Sequence, residues 1–375
     1  MKESQNIIRV AHIIGKWVGG GVESVVMNYY KYIDREKIQF DFICDEDSTN
    51  IPYDEIEKLG GKVILIPPYQ RIVKYHKILK NVLKDGNYKI VHSHINTLSV
   101  FSLFAAKCAG VPVRIAHSHS TTNKKEKKKN ILKQILRPFS KLFATDYMCC
   151  SEYAGRWLFG DKEYNKGNVY LLNNAIDLEK FKYNEKVRIK KREELNIADD
   201  ILVIGHVGRF VEQKNHRFLI DIFNEVHKQN SKSVLLLAGQ GPLMSEMMKK
   251  AERLELGDCV KFLGQRNDIE QLYQVFDVFC LPSLYEGLGM VLIEAQCSGL
   301  YCVTSNEVPN IVNIVDIVKF CDLRDIKEWK ENILIRQNMR KDFSKKLTEC
   351  GYNIKKENKK LVLKYIEMEK RNEYY

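Results

Sequence analysis

No stretch of this 375-residue chain is apolar for long enough to cross a membrane, and its start, MKESQNIIRV, has neither the apolar core nor the small-residue cleavage site of a secretory leader. Both absences make the cytoplasm the expected location. The ten cysteines contain no CxxC pair, which removes the commonest zinc and dithiol motifs and fits free thiols in a reducing compartment. The one adjacent pair, Cys149 and Cys150, lies in an apolar strand-like run. No repeat with a period of about 20–50 residues is visible, so a solenoid is excluded. Nor does any nucleic-acid-binding motif accompany the net charge of +12, and nucleic acid is not an expected partner.

What is present is a composition of ordinary globular kind, 45% hydrophobic and 29% charged, over a length that one core rarely supports. Short β-branched runs at Ile7–Ile14, Gln39–Cys44, Lys62–Ile66, Lys89–His94, Val113–His119 and Tyr147–Ser151 alternate with helical patterns. After a polar stretch the alternation restarts at Ile201–Val207, Val234–Ala238, Val260–Leu263, Val278–Leu281 and Tyr301–Thr304. Alternation of this kind predicts an α/β architecture of two Rossmann-like, doubly wound domains facing each other across a cleft. The expected boundaries are 1–180 and 181–350, with 351–375 a charged helix too poor in apolar residues for a core of its own and packing across the domains.

The densest chemical signal is LPSLYEGLGMVLIEAQCSG, Leu281 to Gly299. A strand ends, a glycine turn carries Glu286, and a helix pattern runs through Glu294. Glycines let backbone N–H groups approach an anion, and the helix N-terminus favours a diphosphate. An ionised Glu294 is acceptor-only and suits a pair of ribose hydroxyls. Upstream, Gly208 and Arg209 follow a strand, Lys214 comes five residues later, and Gly239-Gln240-Gly241-Pro242 ends the next strand. Arg and Lys neutralise a departing diphosphate, and strand ends on one side of a parallel sheet are where such sheets bind ligands.

These words, in order, resemble the retaining glycosyltransferases of family 4, which have the GT-B fold: GGGVESVVMNYY at Gly19–Tyr30, NNAIDLEKF at Asn173–Phe181, GHVGRFVEQKN at Gly205–Asn215, LLLAGQGP at Leu235–Pro242, VKFLG at Val260–Gly264 and EGLGMVLIE at Glu286–Glu294. The last is the family's Glu-x7-Glu motif. The resemblance implies that the first domain holds the acceptor and the second the nucleotide sugar. Arg209 and Lys214 would hold the diphosphate, with Gly20, Gly21 and Gly208 bringing backbone against it, and Gly241 and Leu263 would line the donor site. Glu286 would bind the donor sugar near the backbone of Gly287, Leu288, Gly289 and Met290, and Glu294 the ribose. It also implies a histidine close to the transferring sugar, either His117 or His119, with His119 slightly preferred. Ala175 stands where glycine is usual, and EAQCSGLYCVTS replaces the usual small-residue run.

His92 and His94, and His117 and His119, form two HxH pairs whose members share one strand face, a spacing open to metal ligation. No acidic or cysteine ligand is tied to them by spacing, and no metal or other cofactor is expected. Asp45-Glu46-Asp47 is read as a solvated acidic loop. Between Lys124 and Lys141 stand eight Lys or Arg against one Glu, beside Ile131, Leu132, Ile135, Leu136, Phe139, Leu142 and Phe143 at helical spacing. A basic amphipathic helix over 124–143 suits an anionic membrane surface, and the alternative is a core-packed helix beside a Lys-rich loop.

The expectation is therefore a cytoplasmic enzyme, peripheral at the inner face of the membrane if that helix binds lipid. It passes a sugar, from a UDP-hexose or UDP-N-acetylhexosamine, to a lipid-linked saccharide in capsule or exopolysaccharide synthesis. A sugar-nucleotide epimerase on the same fold is the alternative, and a basic nucleic-acid-binding protein the remote one.

Overall fold

The computed structural model describes residues 7–119, 127–335 and 340–371. The chain divides into two units, residues 1–176 with 351–375, and residues 177–350. In the first, seven strands form one parallel sheet: β1 (Ile8–Gly15), β2 (Ile38–Asp45), β3 (Val63–Ile66), β4 (Ile90–Ser93), β5 (Val113–Ser118), β6 (Asp146–Cys149) and β7 (Val169–Leu171), ordered β3-β2-β1-β4-β5-β6-β7. β2 is buried along its whole length although Gln39, Asp41 and Asp45 interrupt its apolar residues, and buried Asp41 is held by Arg9 and by the Tyr88 hydroxyl. Successive side chains serve opposite faces. Val10, Phe40, Phe42 and Ile115 pack on one side with Tyr30, and Ala11, Ile43 and Ala116 on the other with Leu79 and Leu103.

The second unit repeats the plan with six parallel strands: β8 (Leu202–Val207), β9 (Ser233–Ala238), β10 (Val260–Gly264), β11 (Val278–Leu281), β12 (Tyr301–Ser305) and β13 (Val318–Cys321), ordered β10-β9-β8-β11-β12-β13. Strand order reverses at β1/β4 and at β8/β11, so each unit has one topological switch point, and ligands enter such sheets beyond the carboxyl ends of those strands. Two Rossmann-like units are thus present as the alternation predicted. The strands β7 and β13 have no counterpart in the sequence reading, because both are short edge strands whose few residues carry little periodicity.

The helix Ile354–Arg371, read in the sequence as packing across the domains, belongs to the first unit. Leu361, Val362 and Tyr365 join the core beneath its sheet, Asn358 donates to the Tyr29 carbonyl at 2.8 Å, and Arg371 meets both carboxylate oxygens of Asp146 at 2.7 Å. The ten cysteines are free. No described helix is long and apolar enough to cross a membrane.

Candidate active site

The switch point of the second unit gathers most of the residues singled out by sequence. β8 ends at Val207, and Gly208 and Arg209 follow. In the turn after β9, Gly239 has φ +136°, and a Cβ there would stand 2.1 Å from the Gly208 carbonyl oxygen. A Cβ on Gly241 would stand 2.4 Å from the carbonyl oxygen of Phe210. Both glycines therefore allow the loop after β9 to lie backbone to backbone on the loop after β8. Leu263, partly exposed, is the last residue but one of β10, before Gly264, whose carbonyl accepts from the amide of Gly239 at 2.8 Å.

Glu286 follows β11 and is held from two sides. Lys214 Nζ lies 2.6 Å from its Oε1, and Ser283 Oγ donates to the same oxygen at 2.7 Å. Gln213 donates to the Tyr285 carbonyl at 3.0 Å, and its own carbonyl accepts from the Leu284 amide at 2.8 Å, which joins the loop after β8 to the loop after β11. Lys214 and Glu286 are mostly buried, with side chains 17% and 7% exposed, so little screening by water weakens the pair. Arg209 is exposed and has no ionic partner among the described residues. Beyond Glu286 the chain passes exposed Gly287 and buried Leu288 to Gly289, which at φ +81° turns the backbone into the helix Met290–Cys297. Its N-terminal amides open beside Glu286, the arrangement that favours an anion.

Glu294 stands one turn further along that helix. The Tyr273 hydroxyl donates to Glu294 Oε2 at 2.8 Å, with the Val291 carbonyl at 3.1 Å. Removal from water pushes the Glu294 carboxyl up to about 7, against the opposing pull of the Tyr273 bond and the Lys214 charge. Protonation of this group is therefore poised near neutrality. Tyr273, Ser283 and Gln213 were not singled out by sequence. Ser283 lies inside the Leu281–Gly299 word, whereas Tyr273 comes from the separate helix Ile269–Val275, and no local spacing links it to Glu294.

In the first unit Gly20 is the N-cap of the helix Gly21–Tyr32. The amide of Val18 donates to Glu23 Oε1 at 3.0 Å, and a Cβ on Gly20 would come within 2.9 Å of Glu23 Oε2, so the glycine loop is folded onto its own helix. A Cβ on Gly21 would meet open space. The two HxH pairs converge with a fifth histidine, His12 of β1, which the sequence did not connect to them. His117 is 1% exposed and His119, just beyond the end of β5, 8%. Asp47 pairs with Lys16 at 2.6 Å and Glu46 with Arg71 at 2.6 Å, while burial, followed by Asp47, raises Asp45 to about 6. A cavity of about 390 Å³ opens near the carboxyl ends of β1 and β2, lined among others by Lys16, Asp45, Asp47, Tyr69, Gln70 and Lys133.

The basic segment falls partly outside the described residues, which exclude 120–126. The helix Lys127–Leu136 and the turn Arg137–Phe139 follow. Ile131, Ile135 and Leu142 are 61%, 59% and 61% exposed, so this apolar stripe is not consumed by a core.

The chain matches known families along both of its halves. Residues 19–180 match the family Glycosyltransferase Family 4, and residues 187–357 match Glycosyl transferases group 1. EpsF of Bacillus subtilis (strain 168), named as a candidate glycosyltransferase, is 38% identical over 318 residues, covering 84% of this chain and 82% of its own. The UDP-Gal:alpha-D-GlcNAc-diphosphoundecaprenol alpha-1,3-galactosyltransferase of Escherichia coli is 27% identical, covering 98% of this chain and 99% of its own. Among solved structures, Anabaena HepE in complex with UDP and glucose superposes with a TM-score of 0.74 at 17% identity, over 96% of this chain and 100% of that one, which supports the GT-B fold. The relatives and the family matches do not favour an epimerase. This chain belongs to the glycosyltransferases and is a sugar-transferring enzyme, its second unit built on the group 1 domain.

Proposed function

We propose that this glycosyltransferase moves a sugar, with retention of configuration, from a UDP-hexose or UDP-N-acetylhexosamine to a hydroxyl of a lipid-linked saccharide during capsule or exopolysaccharide synthesis. The observation that carries the donor side is the gathering of Lys214, Glu286 and Ser283 with the Tyr273–Glu294 pair at the β8/β11 switch point. Arg209 and Lys214 hold the diphosphate, aided by the backbone of Gly208 and by the amides from Gly287 to Met290. Lys214 has three N–H donors and can keep Glu286 while adding a phosphate oxygen. Glu286 orients the sugar hydroxyls and Glu294 takes the ribose. As the glycosidic bond breaks, negative charge grows on the leaving diphosphate, and these cations and amides stabilise it in place. The leaving oxygen accepts the acceptor's hydroxyl proton on the same face of the sugar. Two cations and a helix N-terminus supply what a metal would, so the transfer itself needs none.

The first unit takes the acceptor. In its cavity Asp45, Asp47 and Gln70 offer bonds to saccharide hydroxyls, Tyr69 an apolar ring face, and Lys16 and Lys133 positive charge for a linking diphosphate. Lys133 also lies on the helix that carries the exposed Ile131 and Ile135, which supports a peripheral membrane position for the enzyme. The names of relatives point the same way: the Escherichia coli galactosyltransferase acts on a diphosphoundecaprenol-linked GlcNAc, and a Staphylococcus aureus relative, 27% identical over 310 residues, is a capsular polysaccharide biosynthesis glycosyltransferase. The test is a screen of nucleotide sugars for binding and slow hydrolysis, followed by addition of undecaprenyl-diphosphate saccharides. Release of free sugar with every donor and no transfer to any lipid-linked acceptor would overturn this reading.

A further inference from the structure

The three acids at the end of β2 are not alike. Glu46 is paired with Arg71 and Asp47 with Lys16, each at 2.6 Å, and all four side chains are exposed. Asp45, the last residue of β2, is 7% exposed, and among the described residues no cation or hydrogen-bond donor is bonded to its carboxylate. It lines the cavity of about 390 Å³. Tyr75, on the helix Ile72–Asp85, lines the same cavity, is 2% exposed, and has a hydroxyl buried with no hydrogen-bond partner. The neighbouring Ser102 hydroxyl is turned to Ser93 Oγ at 2.8 Å and to the Ser99 carbonyl at 3.1 Å.

The two groups are opposite in kind. Burial, followed by Asp47, raises Asp45 to about 6, so at neutral pH it is chiefly a carboxylate and only accepts. Burial, followed by the Asp45 charge, holds the Tyr75 hydroxyl above the usual tyrosine range, so it keeps its proton and can donate. A buried acceptor and a buried donor without partners are costly, and a ligand that supplies one N–H and one carbonyl satisfies both. The cavity also has an apolar wall. Ile95 and Leu98 line it and are partly exposed, and Gly15, at φ +75°, lies so close that a Cβ there would stand 3.0 Å from Ile95 Cγ2.

We infer that Asp45 and Tyr75 make this cavity selective for an acetamido sugar in the acceptor, Asp45 accepting the amide N–H and Tyr75 donating to the amide carbonyl. The inference rests on the proposed reading of the first unit as the one that takes the acceptor. The acetyl methyl group packs against Ile95 and Leu98, and the second carboxylate oxygen of Asp45 is left for a sugar hydroxyl. A hydroxyl in place of the acetamido group supplies neither the carbonyl for Tyr75 nor the methyl for the apolar wall. A site built to bond a ligand group discriminates against the analogue that lacks it, because the site's own polar groups are then left unpaired.

The test compares two short-chain acceptor probes, farnesyl diphosphates carrying GlcNAc or glucose, which differ only in the acetamido group. In calorimetric titrations of the full-length protein, with UDP present to fill the donor site, the GlcNAc probe should bind at least about tenfold more tightly. Tyr75→Phe and Asp45→Leu should each bring that ratio to within about threefold of unity. A merely structural role would weaken both probes alike and leave the ratio unchanged. A third probe, with an O-acetyl group in place of the acetamido group, keeps the carbonyl and the methyl but lacks the N–H. It should bind the wild type at least about fivefold more weakly than the GlcNAc probe, and it needs no variant to fold. Equal binding of the GlcNAc and glucose probes would overturn the inference and leave the acceptor reading standing, whereas binding of no probe would overturn both. A preference for GlcNAc that persists in both variants, or an O-acetyl probe as tight as the GlcNAc probe, would overturn the roles given to Asp45 and Tyr75.

Discussion

Lys214 Nζ lies 2.6 Å from Glu286 Oε1, and the Glu286 side chain is 7% exposed. The cation we assign to the phosphates and the carboxylate we assign to the sugar are thus directly bonded to each other, with Ser283 on the same oxygen. Position along the chain, Lys214 on the loop after β8 and Glu286 after β11, makes them neighbours because β8 and β11 are adjacent strands. That adjacency leads to distinguishable expectations for the two glutamates.

Replacing Glu286 by Gln keeps the side chain's size and removes its charge. Nucleoside diphosphate affinity should stay within a few-fold of wild type, since Lys214 remains free to serve the phosphates, while turnover falls. A charge-assisted hydrogen bond contributes about 1.5–3 kcal/mol, which predicts a loss of roughly 10- to 150-fold in kcat. Glu294→Gln should instead weaken the bare nucleotide and the intact donor alike. Calorimetry with UDP beside kinetics with the full donor separates the two. Equal damage to UDP binding by both variants would show that the division of labour is wrong.

The same carboxyl gives a pH dependence with a definite sign. Glu294 is pushed up to about 7 from an ordinary 4.5, and only the ionised form is a full acceptor for ribose hydroxyls. Nucleotide affinity should therefore rise as pH increases through 7 and level off above it. Because the folded protein holds this proton between about 4.5 and 7 while the unfolded chain does not, its contribution to stability falls over the same interval. Tyr273→Phe deletes the hydrogen bond that pulls the value down, so the binding step should move to higher pH. UDP titrations from pH 5.5 to roughly 8.5 in wild type, Tyr273→Phe and Glu294→Gln measure this, with the last variant as the baseline for the nucleotide's own ionisation. A profile identical in wild type and Glu294→Gln would rule the carboxyl out as its source.

Transfer should survive excess chelator. Arg209, Lys214 and the N-terminus of the helix Met290–Cys297 supply the positive potential at the leaving group. Loss of activity in EDTA that magnesium or manganese restores would move the Asp45–Asp47 loop to the centre of the mechanism, despite the lysine and arginine that now pair with it.

Binding to anionic vesicles should depend on both charge and apolar surface. Each basic side chain near an anionic surface contributes up to about 1 kcal/mol, so Lys127, Lys128 and Lys129 changed together to Glu should abolish sedimentation with phosphatidylglycerol vesicles, and salt should weaken the wild type. Ile131 and Ile135, 61% and 59% exposed, changed to Ser should weaken it independently of salt. Equal sedimentation of all proteins with anionic and neutral vesicles would exclude a lipid-binding role for this helix.

Much of this protein was already decided locally. Largely apolar runs of four to eight residues between turns determined the parallel strands, because strands covered on both faces bury nearly all of their side chains. The Glu286–Glu294 word and the Arg209–Lys214 spacing lie within single strand-turn-helix units, so their placement beyond strand ends was legible without knowledge of what packs on them. The tertiary structure alone decided which distant groups complete the sites. Tyr273 reaches Glu294 from another helix, Ser283 and Lys214 share one carboxylate oxygen, and His12 joins histidines some eighty residues away because β1 lies beside β4. It alone placed the last helix in the first unit, through Asn358, Tyr365 and Arg371. It also left the stripe from Ile131 to Leu142 exposed, where periodicity allowed either a core or a surface. Periodicity records only that a face is apolar; what covers that face, and which side chains meet across it, depends on contacts between segments far apart in the chain.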